Sequence, residues 1–136
     1  MSAQRTVNGF HHAAMKVANF AAVVEFYKQG LGLTEKISWG EGDSRAVLLD
    51  CGNGNYIEIF AGGVGGSVPD GAVLHLALRT ANCDAALAQA VAAGAVVTMT
   101  ARDVTIPSQP QPTPVRIAFC RGLAGEIIEF FQNELT

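Results

Sequence analysis

Two histidines and two glutamates stand at matched places in this sequence. His12 opens the run His12-Ala13-Ala14-Met15-Lys16-Val17-Ala18-Asn19, and His75 opens His75-Leu76-Ala77-Leu78-Arg79-Thr80-Ala81-Asn82, 63 positions on. The two runs share His, Ala, a basic residue, Ala and Asn. Glu58 in Tyr56-Ile57-Glu58-Ile59-Phe60 and Glu129 in Ile127-Ile128-Glu129-Phe130-Phe131 are 71 positions apart, and at the same offset Arg45, Gly54, Ile57 and Phe60 fall on Arg116, Gly125, Ile128 and Phe131. A lone glutamate between isoleucines is ordinarily the solvent side of a strand, and a lone histidine is ordinarily a hydrogen-bonded core or surface residue. The recurrence of both types at equivalent places in a duplicated unit is what points to ligands. Two imidazoles and two carboxylates form a borderline-hard donor set suited to one divalent ion, Ni, Zn, Co, Mn or Fe, with room left for water or substrate.

Those four side chains need strands to carry them. Gly9 to Val17 alternates as a half-buried strand, so His12, Ala14 and Lys16 share one face while Ala13, Met15 and Val17 share the other. The same parity groups His75 with Ala77 and Arg79, Glu58 with Tyr56 and Phe60, and Glu129 with Ile127 and Phe131. His11 has the opposite parity to His12 and reads as a structural or surface residue. Asn19 caps a helix over 20–29 that Gly30 and Gly32 end; strands are expected at 34–39, 45–51 and 55–60. The second half repeats the plan, with a strand at 73–80, an Asn82-capped helix to about Ala93, and strands at 95–100, 115–121 and 126–132. Gly-rich Ala61 to Gly71 reads as the linker. The surplus residues of the second half fall mostly between Asp103 and Pro114, where Pro107, Pro110, Pro112 and Pro114 predict an extended loop.

Composition narrows the partners. The chain has 136 residues, 49% of them hydrophobic, enough for one core and too few for two independent ones, so a single domain over 1–136 is expected, built from modules at about 9–60 and 73–132. Charged residues make up 15% and the formal net charge is −3, which leaves no basic footprint for nucleic acid or an anionic membrane. The first residues lack the apolar run of a secretory leader, no stretch is long enough to span a bilayer, and a cytoplasmic location is expected. Cys51, Cys83 and Cys120 have no C-x-x-C spacing and read as three buried apolar residues in a reducing compartment.

The ordered set His-x-Ala-x-x-Val-x-Asn from His12, Phe26-Tyr27-Lys28-Gln29-Gly30-Leu31-Gly32-Leu33, Tyr56-Ile57-Glu58-Ile59-Phe60, His75-Leu76-Ala77-Leu78 and Gly125 through Gln132 resembles the glyoxalase I, bleomycin-resistance and extradiol-dioxygenase superfamily, the vicinal oxygen chelate fold. The resemblance spans nearly the whole chain and is more specific for fold than for reaction. It implies an α+β fold of tandem β-α-β-β-β modules forming a curved mixed sheet. The order His, Glu, His, Glu is similar to glyoxalase I; epimerases of the methylmalonyl-CoA type carry Gln in the second slot, and antibiotic-binding members generally lack the full quartet. The resemblance therefore implies a metal-dependent lyase or isomerase acting on a small oxygen-chelating substrate, such as an α-oxoaldehyde hemithioacetal. Glu129 is the first candidate for the general base and Glu58 the second. Another metal-dependent epimerase, or a small-molecule binding or resistance protein, is the alternative. Ring cleavage of the extradiol kind is disfavoured because it uses two histidines and one carboxylate.

Two departures argue against a glutathione-type thiol: Lys16 stands where glyoxalase I has Arg, and Phe60-Ala61-Gly62-Gly63 offers no Asn. Arg45 and Arg116 are further cations for an anionic substrate, with salt bridges as their other reading. Trp39, Tyr56, Phe60 and Phe131 are either pocket or core. Family members that this chain resembles pair modules between two chains, and a half of this size buries little apolar surface alone, so a homodimer is expected, with His12 and Glu58 of one copy meeting His75 and Glu129 of the other.

Overall fold

The computed structural model describes residues 6–7, 9–65 and 71–136; the N-terminal leader reading and part of the linker reading therefore fall outside the described residues. The order is β1 (His12–Lys16), α1 (Phe20–Glu25), a π-helical turn (Phe26–Gly30), β2 (Thr34–Trp39), β3 (Ala46–Gly52), β4 (Asn55–Phe60), β5 (Leu76–Arg79), α2 (Cys83–Ala92), β6 (Val96–Ile106), β7 (Thr113–Arg121) and β8 (Ile127–Gln132). They form two four-stranded mixed sheets of equivalent topology, β1-β4-β3-β2 and β5-β8-β7-β6. In each the first strand runs parallel to the last and the other pairings are antiparallel. The parallel pairing follows from the helix that separates each first strand from the hairpins after it.

Asparagines start both helices as expected. The Asn19 and Asn82 side chains accept from the Ala22 and Ala85 backbone N–H groups at 3.4 and 3.0 Å. The first helix is shorter than its periodicity suggested, keeping α geometry only to Glu25 before the π turn. β6 is longer: it runs to Ile106, so Asp103 and Pro114 lie in paired strands and the proline loop shrinks to 107–112. Pro114 sits across from Thr105, near the end of an edge pairing where a missing donor is tolerated.

One face of each sheet is buried. Val47, Leu49, Ile57 and Ile59 of the first sheet join Ala118, Cys120, Ile128 and Phe130 of the second in one apolar cluster, with Val23, Phe26, Tyr27, Cys83, Leu87 and Ala90 from the helical segments. The helical segments of the two modules do not stay apart. Instead they meet: a Cβ added at Gly30 would lie 2.5 Å from the Cβ of Ala93, so glycine is what lets the π turn touch the end of α2. Cys83 and Cys120 are buried as expected, but Cys51 is exposed, because it sits where β3 runs out into the Gly52-Asn53-Gly54 turn. Among the described residues no helix is long and apolar enough to cross a membrane.

Candidate functional site

The faces of the two sheets turned away from the shared core cluster carry the candidate ligands. Parallel pairing places Ala14 opposite Glu58 and Ala77 opposite Glu129, the same register in both halves. An alanine two residues beyond each histidine leaves space for the neighbouring carboxylate to turn back toward the imidazole. His12 Nε2 lies 3.5 Å from Glu58 Oε1, and His75 Nε2 lies 3.1 Å from Glu129 Oε1. Two ligands on adjacent positions of an ion with bonds of about 2.0–2.2 Å are themselves about 3.0–3.5 Å apart. Each pair thus has the spacing of two donors to a common ion. The four do not form one cluster within the chain: among the described residues, no group of three or more His, Cys, Asp or Glu side chains is placed to hold a metal.

The imidazoles are more open than the carboxylates, with side chains 39% and 36% exposed for His12 and His75 against 16% and 11% for Glu58 and Glu129. Burial pushes the Glu129 carboxyl above the ordinary carboxylate range, and the adjacent His75 partly offsets that rise. The His75 ring also packs nearly perpendicular to Phe119, which stands opposite Glu129 across β7 and β8.

Lys16 and Arg79, four residues beyond each histidine and on the same face by parity, flank the two pairs. Among the described residues neither is in a salt bridge. Arg45 and Arg116 are placed elsewhere. Arg45 donates to the Gly42 carbonyl and lies 4.8 Å from the Phe20 ring centroid; Arg116 is held by Asp84 and Asp103 on the helix side of its sheet. Trp39 and Phe60 share the face of Glu58 and meet edge to face at 6.2 Å, while Ile37 beside them is 54% exposed. A separate cavity of about 270 Å³ runs along the seam between β1 and β5, lined by Ala13, Met15, Ile57, Leu76 and Glu126; of the four ligand candidates only His75 borders it.

His11, read as a structural or surface residue, is exposed, yet its ring turns toward His12. His11 lies just before β1, and its Nδ1 lies 2.9 Å from His12 Nδ1. The His-His dipeptide was the only signal for this contact.

The chain matches the family model described as Glyoxalase/Bleomycin resistance protein/Dioxygenase superfamily over residues 9–109. Among curated proteins no sequence matches. Similar solved structures include TnmS3, an antibiotic binding protein from Streptomyces sp. CB03234, at 18% identity and TM-score 0.67, covering 96% of this chain and all of that one. The fosfomycin resistance protein FosX of Listeria monocytogenes is similar at 15% identity and TM-score 0.68, covering 96% of this chain and 97% of that one. A mutant of FosX, solved with Mn(II) and 1S,2S-dihydroxypropylphosphonic acid, aligns at 17% identity and TM-score 0.70, covering 96% of this chain and 94% of that one. At these identities the likeness is one of fold.

Proposed function

Because this chain belongs to the glyoxalase/bleomycin resistance protein/dioxygenase superfamily, we propose that it is a metal-dependent lyase or isomerase of the glyoxalase I type, acting on a small oxygen-chelating substrate such as an α-oxoaldehyde hemithioacetal. The observation that supports this reading is the pair of equivalent His–Glu units, at donor spacing and on the sheet faces turned away from the core cluster. His12, Glu58, His75 and Glu129 would hold one divalent ion. Since the four stay as two pairs within one chain, the reading includes a cytoplasmic homodimer in which each copy contributes one pair to a shared site.

When bound, such an ion supplies Lewis-acid stabilisation of negative charge on the substrate oxygens it chelates. The protein's own part is proton transfer and positioning. Glu129 is the first choice for the base, since burial raises the pKa of its carboxyl, and Glu58 is the second. The base would take the proton from the hydroxyl-bearing carbon beside the carbonyl and return it to the former carbonyl carbon, while the hydroxyl proton passes to the former carbonyl oxygen. The hemithioacetal thereby becomes an α-hydroxythioester with no net change in oxidation state. Lys16 and Arg79 offer two cations to an anionic end of the substrate, and Trp39 and Phe60 cover its apolar part.

The test is uptake of Ni(II), Co(II) or Zn(II) by metal-stripped protein, then turnover of methylglyoxal hemithioacetals made with glutathione and with smaller thiols. Metal-dependent isomerisation with at least one thiol is expected. Metal uptake with no turnover would favour a second metal-dependent activity of the superfamily. The exposed Trp39 and Ile37 also suit a binding or resistance protein, which would show ligand-dependent quenching of the single tryptophan without turnover.

A further inference from the structure

The two candidate histidine ligands are supported differently. The second half has Leu74 where the first has His11, and the His75 ring packs nearly perpendicular to the apolar ring of Phe119. His12 instead makes a ring-to-ring contact, Nδ1 to Nδ1 at 2.9 Å, with the two imidazoles nearly perpendicular at 84°. A contact that short between two nitrogens requires one of them to carry a proton and the other a lone pair.

The position of His11 is itself held. Its carbonyl accepts from the Tyr56 backbone N–H at 2.8 Å, extending the β1–β4 pairing by one bond, and its ring packs at 5.0 Å on the Tyr56 ring. The nitrogen of His12 that faces Glu58 is Nε2. If that nitrogen is a ligand it must offer a lone pair, so the proton of the neutral ring sits on Nδ1. Nδ1 then donates to His11 Nδ1, and His11 carries its own proton on Nε2.

We infer that His11 is a positioning residue: it accepts the Nδ1–H of His12 and so fixes both the tautomer and the ring angle that aim His12 Nε2 at the shared site. This rests on the metal-site reading above. It adds an asymmetry that the repeat does not have: both Nε2 atoms face a carboxylate, but among the described residues Nδ1 of His12 has a side-chain acceptor, whereas the His75 ring packs on Phe119.

Two substitutions separate the acceptor from the ring. His11→Phe keeps a ring to pack on Tyr56 and removes the acceptor, whereas His11→Asn places an amide oxygen near the position of Nδ1. Zn(II) affinity, measured by chelator competition, should fall roughly 10-fold or more in His11→Phe and stay within about 3-fold in His11→Asn. In the Zn(II)-loaded protein the His12 Nδ1–H should give a protected proton resonance in the wild type and in His11→Asn, lost to exchange in His11→Phe. The His75 ring serves as the control in the same spectra. Equal losses in both variants, or an unchanged affinity in His11→Phe, would overturn the inference while leaving the metal site standing. A wild-type protein that takes up no Zn(II) would overturn both.

Discussion

The phenol of Tyr27 donates a hydrogen bond to the Glu126 carboxylate, 99 positions further along the chain. It ties the turn after α1 to the residue before β8, and so joins the two modules through a polar contact inside an apolar core. The same carboxylate accepts from the Ala124 backbone N–H at 3.0 Å.

Tyr27 is fully buried, and burial, ahead of the adjacent Glu126 charge, pushes its phenol well above the ordinary value. A folded pKa above the unfolded one, about 10, means that the stability linked to this group is complete below pH ~10 and is lost as pH rises through the folded value. Tyr27→Phe should cost roughly 1–3 kcal/mol at pH 7 and should flatten the alkaline loss of stability. Urea titrations at neutral and alkaline pH check this; parallel pH slopes for the two proteins would count against it.

Gly30 and Ala93 make the second junction between modules. Gly30→Ala puts two Cβ atoms where the native backbone leaves 2.5 Å, and overpacking of this kind costs about 1–3 kcal/mol. Adding Ala93→Gly should recover most of the loss, because the two sites are in direct contact. Thermal unfolding of the single and double variants decides whether the junction or some other strain is responsible.

A site shared between two copies predicts complementation. His12→Ala and His75→Ala homodimers each lack one histidine at both sites, yet a mixed dimer holds one intact quartet and one doubly defective site. After joint refolding of equal amounts, about a quarter of wild-type metal-dependent activity should return if subunits assort at random. Mixing without recovery, in a protein that is dimeric by sedimentation, would assign the ligands to some other grouping.

Glu129→Gln keeps the volume of a buried residue and removes its charge. Metal binding and proton abstraction should both be lost. The metal-free protein should keep its stability within about 1 kcal/mol, since the ionised carboxylate is disfavoured by burial. Affinity and unfolding measured on one preparation separate these effects; a large loss of stability would make Glu129 a structural residue first.

Much of the site was legible from strand periodicity and the repeat. Side chains two apart share a face, so grouping Glu58 with Tyr56 and Phe60, and His12 with Ala14 and Lys16, needed only local alternation, and the pairing of Ala14 with Glu58 agrees with it. Helix starts were equally local, since Asn19 and Asn82 bond to amides three residues on. What only the tertiary structure decided depends on contacts between distant segments. The four ligand candidates stay as two pairs because each pair belongs to its own sheet. Gly30 looked like a helix stop and proved also to be a point of contact with Ala93. His11 escaped the parity rule because just before β1 its ring turns back onto His12 and Tyr56. Alternation is a property of a strand's backbone and can be read along the chain, whereas where a strand begins and which sheet faces which are set by packing energies that no local pattern contains.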